Sequence, residues 1–497
     1  MKHTLLIALL FAPLSGLIAA ESSQPNIVLI FADDLGYGDV GCFGATKIKT
    51  PNLDRMATEG LRLTSFYAQP VCGVSRAALM TGCYPIRVAE KGNIKNLHTE
   101  PATQEVFMAQ VLKSAGYATA LIGKWHLATK GKGIAGFDND TMPNAKGFDE
   151  FYGTPLFNGS TVRVADTKQR SPILRNQEVV VPAVENWDHI TGDYTREALS
   201  WIEKNRRQPF FLYLAHNMPH IPLGASENFK GKSAAGPYGD AIEEIDWSTG
   251  QILAKLKELD LDRNTLVVFT SDNGPWIETT RGMQPDGQPF IPRDHSGSAG
   301  PLRGWKMSAW EGGCRVPFMA RWPGRIPAGR TSHEILSTMD LLPTFAALSR
   351  AKLPDNTLDG RNAADFLLGK SPTSPRGEYL YYAATRLTGV RSGHWKLVLA
   401  RPAAPSETGW WGRMLEAVPA TQLYDLDADP GESSDVAAKN PEVVAALMQR
   451  VERARAELGD HDRIGSGARF FDAGPKRPDR KRQPEKGRKS EQIRSLN

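Results

Sequence analysis

Four runs of β-prone apolar residues recur along the 497-residue chain, and each stops at polar or charged side chains. Residues 26–32 read NIVLIFA and end at Asp33-Asp34. Residues 117–123 read YATALIG and end at Lys124-Trp125-His126. Residues 209–216 read PFFLYLAH and lead on to His220. Residues 264–270 read NTLVVFT and end at Ser271-Asp272-Asn273-Gly274. The runs are continuous rather than alternating, which is the pattern of strands covered on both faces in a parallel sheet. Helical spacing fills the intervals at 52–61, 104–115, 192–206 and 239–259. This strand–loop–helix repeat predicts an α/β protein with a large, mostly parallel central sheet flanked by helices. Ligands of open α/β sheets lie beyond the carboxyl ends of the strands. Asp33, Asp34, Lys124, His126, His216, His220, Asp272 and Asn273 are therefore expected to converge although they are far apart in sequence.

After residue 369 the pattern changes. Residues 379–400 alternate like antiparallel strands with a turn at Ser392-Gly393, residues 421–432 read as a strand and a turn, and residues 440–458 as a helix. A catalytic domain over 21–369 followed by a smaller α+β domain with an antiparallel sheet over 370–460 is expected. Residues 1–20 have a short basic start, an apolar run interrupted by Pro13, and small residues at the end, which is the pattern of a signal peptide. Export to a periplasm or the extracellular space is expected, with no transmembrane segment left after its removal. Residues 461–497 are expected to be a disordered basic tail. Its last 23 residues carry nine Lys or Arg against three acids, a charge of +6 that leaves −1 for the rest of a chain of net charge +5. Such a tail suits contact with an anionic polymer or lipid, or plain solvation, and nothing in the body reads as a nucleic-acid module.

The paired carboxylates offer oxygen ligands of the type a hard divalent cation takes, calcium in an exported protein and magnesium equally by donor type. Their ordinary alternative is the capping of loops and helices. The basic set Arg76, Lys124, His126, His220 and Lys306 suits a tetrahedral oxyanion such as sulfate or phosphate. His216 and His220 have H-x-x-x-H spacing, but Pro219 breaks the helix that a zinc pair of this kind needs, and no Cys or Glu accompanies them. Four cysteines (Cys42, Cys72, Cys83 and Cys314) are too few for a disulfide framework. Cys72 precedes a helical segment, 75–82, that opens with Ser75 and Arg76, so it is either a buried structural thiol or a nucleophile. A thiolate nucleophile leaves the carboxylate cluster without a purpose, and the residues by themselves leave the choice open.

Cys72-Gly73-Val74-Ser75-Arg76 followed by Thr81-Gly82, Gly116-Tyr117-Ala118-Thr119 with Gly123-Lys124-Trp125-His126, the segment 271–275 and LRGWKMSAWEGGCRVPF (302–318) together resemble the type I sulfatases of the alkaline-phosphatase superfamily. The resemblance runs from about residue 25 to about residue 445 and is nearest in look to the arylsulfatase A and N-acetylgalactosamine-6-sulfatase types. It implies that a maturation enzyme converts Cys72 to Cα-formylglycine, whose hydrate is the nucleophile. It further implies that Asp33, Asp34, Asp272, Asn273 and the modified Cys72 hold calcium, and that Arg76 stabilises the hydrate. Lys124, His220 and Lys306 would bind sulfate, His220 or Lys306 would protonate the departing alcohol, and His126 would take the proton that expels sulfate. The implied substrate is an aryl sulfate or a sulfated carbohydrate. A phosphomonoesterase or phosphonate hydrolase on the same scaffold, and a non-catalytic sulfoglycan-binding relative with Cys72 unmodified, are the alternatives.

Two positions depart from the pattern. Val74 stands where the signature usually has Pro or Ala. Phe157 stands near the place where some arylsulfatases carry a hydroxyl residue against the sulfate, with Asn158 as a polar neighbour that substitutes for it if the contact exists. Segments 157–190, 276–300 and 410–415 are candidate pocket walls, with Trp410 and Trp411 either stacking on a sugar or packing in the small domain. Arg163, Arg170 and Arg175 either read further acidic groups or are solvated. Asn139 and Asn158 lie in N-glycosylation sequons.

Overall fold

Asn26–Ala32 forms strand β1, and all seven of its side chains are buried. Its two faces feed two cores. Ile27, Leu29 and Phe31 pack with residues of helices α2 (Cys72–Thr81), α3 (Met108–Ser114) and α6 (Leu341–Ser349). Val28 and Ile30 pack with α1 (Pro51–Thr58), α4 (Ile190–Asn205) and α5 (Gly236–Glu258) on the other side. Burial on both faces is what the unbroken apolar run requires.

The computed structural model describes residues 24–89, 105–164, 167–276, 296–405 and 415–469. The signal segment, Trp410 and Trp411, most of the 276–300 loop and residues 470–497 lie outside the described residues. The other strands of the large sheet are β2 (Leu61–Tyr67), β3 (Ala118–Gly123), β4 (Glu150–Gly153), β5 (Phe210–Ala215), β6 (Thr265–Ser271) and β7 (Arg315–Arg321). They lie in the order β2-β7-β6-β1-β5-β3-β4, with short strands extending both edges. The run β6-β1-β5-β3-β4 is parallel throughout, with Ile27 opposite Phe211 and Leu266, whereas β7 is antiparallel to both β6 and β2. The sheet is therefore mostly parallel, as expected, and the carboxyl ends of β1, β3, β5 and β6 open on one edge.

A second, antiparallel sheet follows: β8 (Glu378–Ala383), β9 (Arg386–Ser392), β10 (Trp395–Val398) and β11 (Gln422–Asp425), in that order. Helix α7 (Pro441–Glu457) closes it with Leu447, Val451 and Ala454. The segment 379–400 contains two turns, not one. The first, at Ala384-Thr385, puts Ala384 at φ +52°, and it carries no Gly, Asn or Pro to signal it. The chain also stays ordered past residue 460. Residues 459–460 pair with 463–464, and the Arg469 amide donates to Arg87 O at 2.8 Å while its guanidinium meets Glu105. Residues 461–469 thus belong to the folded body rather than to the tail. No helix among the described residues is long and apolar enough to cross a membrane.

Candidate active site

The sharp turns after the strands bring the charged residues together. Gly123 ends β3 at φ +120°, and a Cβ there would stand 1.8 Å from Ala215 O. Only glycine allows that approach, which lets the Lys124 amide donate to Ala215 O at 2.7 Å and locks the Lys124-Trp125-His126 turn onto β5. Asp34, His126 and Met307, the last beside Lys306, have φ of +68°, +67° and +72°. Non-glycine residues rarely adopt this region, and strain of this kind concentrates at functional sites. The Lys306 amide donates to Pro275 O at 3.0 Å and the Met307 amide to Pro70 O at 2.7 Å. The 302–310 loop is thereby docked between the end of β6 and the turn before α2.

Oxygens of Asp33, Asp34 and Asp272 lie within 4.8 Å of one another, all three residues being buried. Three cations answer them. Lys124 pairs with Asp33. Lys306 Nζ lies 2.7 Å from Asp34 Oδ1. Arg76 donates through Nε and Nη2 to Asp272 Oδ2 at 3.2 and 2.8 Å. Arg76 Nη1 donates to Lys124 O at 2.8 Å and to the Tyr213 hydroxyl at 3.3 Å. Asn273 donates from Nδ2 to Asp34 Oδ1 at 2.7 Å. Asp33 Oδ1 and Asn273 Oδ1 are buried without a hydrogen-bond donor among the described residues. Two orphaned oxygens beside three carboxylates are donors of the kind that a hard cation accepts.

Burial pushes the Asp33 carboxyl up, but Lys124, His220, Arg76 and Lys306 outweigh it and hold it well below its usual range. Burial and then the charge of Asp33 push Asp272 up to about 7, against the pull of Arg76 and Lys124. Burial pulls the Lys306 ammonium down, yet Asp34 and its neighbours more than reverse this and hold it charged. The cluster is a balanced set in which each carboxylate depends on a named cation.

Cys72 is the first residue of α2, not a residue ahead of it. Val71 is extended, the Ser75 amide closes the first helical bond to Val71 O, and Gly82 at φ +66° ends the helix. The Cys72 thiol is 2 % exposed and lies within 4.8 Å of an Asp33 oxygen and a His220 ring nitrogen. Burial pushes this thiol above its usual range despite Lys124 and Lys306, which disfavours a simple thiolate nucleophile. His220 Nε2 is 3.8 Å from Asp34 Oδ2, and its Nδ1 is 2.6 Å from Ile221 O. A carbonyl only accepts, so Nδ1 carries the hydrogen and Nε2 faces the carboxylates. Burial, reinforced by Lys306, draws the His220 imidazole down to about 4. His216 does not join the group. Its Nε2 is 3.4 Å from the Ser248 hydroxyl, and burial lowers it to about 3, so the two histidines form no zinc pair.

Sequence and fold comparisons point the same way as this geometry. The sulfatase family pattern matches residues 25–351, and that of the N-sulphoglucosamine sulphohydrolase C-terminal region matches residues 304–457. The chain belongs to the sulfatase family. It is 35 % identical over 489 residues to N-acetylgalactosamine-6-O-sulfatase of Bacteroides thetaiotaomicron, covering 88 % of this chain and 94 % of that protein. It is 37 % identical over 478 residues to human arylsulfatase A, with 89 % of each covered. A solved structure described with glycosaminoglycan metabolism by Bacteroides thetaiotaomicron superimposes with a TM-score of 0.73 at 32 % identity, over 87 % of this chain and 100 % of that one. This sulfatase is accordingly a sulfuric ester hydrolase.

Two of the sulfatase's supporting residues, Tyr213 and Tyr238, escaped sequence reading. Tyr213 projects from the middle of β5 to meet Arg76, where an apolar strand gives no sign of it. Tyr238 donates to Asp34 O at 2.9 Å and to Asp39 at 2.8 Å, bracing the turn after β1. Trp276, the first residue of the 276–300 segment expected as a pocket wall, stands with its ring centroid 5.7 Å from Lys306 Nζ. Phe157 lies between the two site histidines, 5.2 Å from the His126 ring and 5.7 Å from that of His220. Asn158 is buried and its amide is spent on the protein's own backbone, so it offers neither a sulfate contact nor a glycosylation site in the folded chain. Arg170 and Arg175 pair with Glu185 and Glu197.

Proposed function

We propose that this sulfatase hydrolyses the sulfate ester of an aryl alcohol or of a sulfated carbohydrate, with residue 72 as a formylglycine hydrate and one calcium ion at Asp33, Asp34, Asp272 and Asn273. The observation that carries the reading is the pair of orphaned oxygens, Asp33 Oδ1 and Asn273 Oδ1, beside a cysteine at a helix start and among three cations. The cation would supply positive charge for the sulfuryl oxygens, and the aldehyde hydrate would supply the attacking oxygen. Magnesium would use the same donors.

The chain's own residues do the rest. Lys124 and Lys306 are fixed at the ends of short, buried ion pairs and face the ester's anionic oxygens from two sides. Arg76, spent on Asp272, Lys124 O and Tyr213, sets the direction of Asp272 rather than touching the ester. His220 presents Nε2 to the departing oxygen. The anionic ester raises the proton affinity that burial lowers, so the imidazole is charged when it is needed. Lys306, held charged by Asp34, is the poorer acid of the two. His126, buried beyond Phe157, is the base that releases the product. Apolar walls from Val71, Val74, Met307, Ala309 and Ala383 limit water around residue 72.

Because Cys72 is buried in a helix, the maturation enzyme must read 72–76 before α2 forms. Val74 keeps the peptide able to extend, since a β-branched residue favours that backbone. Export by the N-terminal signal completes the reading. The test is peptide mass spectrometry of residue 72 in protein from its own host, combined with turnover of sulfate and phosphate esters of one phenol. Aldehyde at residue 72 with a preference for sulfate supports the proposal. An unmodified thiol with sulfate turnover removes the hydrate, and a preference for phosphate removes the substrate class.

A further inference from the structure

The segment that carries His220 cannot satisfy its own carbonyls. It contains Pro219 and Pro222, which have no amide hydrogen, and its only internal backbone bond is a weak one from the His220 amide to Asn217 O at 3.3 Å. Its fixed points come from outside. The Asp33 amide donates to Met218 O at 3.1 Å. Asn158 supplies the other. Its Nδ2 donates to Asn217 O at 3.2 Å, to His220 O at 3.0 Å and, more weakly, to Pro222 O at 3.4 Å. Its Oδ1 accepts from Asn217 Nδ2 at 2.6 Å. Asn217 is itself held by the Tyr194 hydroxyl at 2.8 Å and by Thr154 at 3.0 Å.

We propose that Asn158 is a positioning residue for His220, a clamp that holds the 217–222 segment so that the imidazole meets the ester. The inference rests on the role given to His220 above. The orientation of the Asn158 amide follows from its partners, since three carbonyls can only accept and Asn217 Nδ2 can only donate. Asn158 is 2 % exposed, so water does not reach its bonds to replace them. The backbone carbonyl and the side chain of His220 branch from one Cα, and the ring is fixed at its other end by Nδ1 on Ile221 O. Releasing the His220 carbonyl therefore frees the ring as a unit. A shift of about 1 Å in a group that acts in the transition state costs up to about 100-fold in rate. No other side chain among the described residues donates to both Asn217 O and His220 O, which sets Asn158 apart from ordinary core asparagines.

The test is a double-mutant cycle of Asn158→Ala with His220→Ala in the matured enzyme, read on a series of ring-substituted phenyl sulfates of graded leaving-group acidity. His220→Ala is expected to cost more as the phenol becomes a poorer leaving group. Asn158→Ala is expected to lower kcat/KM by about 10- to 100-fold with the same trend, and to cost less than about threefold more in the His220→Ala background. Asn158→Ser, which keeps a donor in the gap, reads the same cycle if the alanine variant does not fold, and is expected to lose less. Equal losses across the series, or full additivity with His220→Ala, overturn the clamp while leaving the role of His220 intact. An active His220→Ala enzyme with no leaving-group trend overturns that role, and the clamp with it.

Discussion

Arg76 is the residue on which the most depends. Its guanidinium is fully buried, and its three nitrogens reach a carboxylate just past β6, a carbonyl just past β3 and a phenol on β5. A planar fork serves this geometry and a single ammonium does not. Arg76→Lys is therefore expected to behave like a loss rather than a conservative change, with activity falling by about 100-fold or more and stability by about 3–5 kcal/mol, the usual cost of breaking a buried ion pair. Activity and thermal midpoints of the purified variant check both. If lysine retains activity within a few-fold, the fork is not what orients Asp272. Residues of this group were legible because acids and bases that directly follow buried strands have few reasons to be there. Tyr213 and Asn158 were not, because they act through hydrogen bonds to partners more than fifty residues away, and a tyrosine in a strand or an asparagine in a loop carries no local mark of that. Its place in the sequence leaves Asn158 as either a substitute for a sulfate-binding hydroxyl or no sulfate contact at all, and burial turns its amide inward to the backbone.

Between elements, the join of the large and small sheets rests on a second buried charge cluster. Glu311, ahead of β7, accepts from the hydroxyls of Tyr67 on β2 and Tyr381 on β8 at 2.6 and 2.5 Å. Lys396 on β10 reaches Glu311 at 3.2 Å and Glu432 at 2.7 Å, all three fully buried. Burial and the charge of Glu311 push the Glu432 carboxyl up to about 7, with Lys396 pulling against them. A carboxyl whose folded value lies above its unfolded value binds its proton more tightly when folded, so its contribution falls as pH rises from about 4.5 towards 7. Lys396→Met removes the opposing cation and extends that fall to higher pH. The variant is expected to be less stable than the parent by several kcal/mol at pH 8 and by less at pH 6. Thermal midpoints at the two values decide it, and a loss that is equal at both would refute the account. None of this cluster was apparent beforehand. Glu311 sits in a motif that reads as catalytic, and Lys396 in a strand where alternate residues face solvent by default. The hairpin at Ala384-Thr385 was missed for a related reason, since its turn residues lack the usual signals and only the register of β8 on β9 forces the chain around.

At the scale of the whole molecule, the site is assembled from the carboxyl ends of strands that run across the middle of the sheet. Asp33 and Asp34 follow β1, Lys124 follows β3, His220 follows β5, and Asp272 and Asn273 follow β6, while Cys72 opens helix α2 and Lys306 comes from the 302–310 loop, both outside the sheet. The parallel character of the sheet was readable from unbroken apolar runs, its strand order was not, and it is the adjacency of β6, β1, β5 and β3 that makes convergence a consequence of the fold rather than of any one loop. It also makes the site a keystone. A divalent cation bound there would tie β1 to β6 and relieve the mutual repulsion of three buried carboxylates, so its effect belongs to global unfolding and not to a local loop. Calcium added to chelator-treated protein is expected to raise the main thermal transition, the added stability being about 2.7 kcal/mol when free calcium exceeds the dissociation constant 100-fold. Asn273→Ala, which removes one orphaned oxygen, is expected to shrink that shift, and Asp33→Asn to abolish most of it, with no activity measurement involved. A shift that survives Asp33→Asn would place the cation elsewhere. A shift confined to a minor early transition would mean that the strand ends are not tied together in the way their geometry implies.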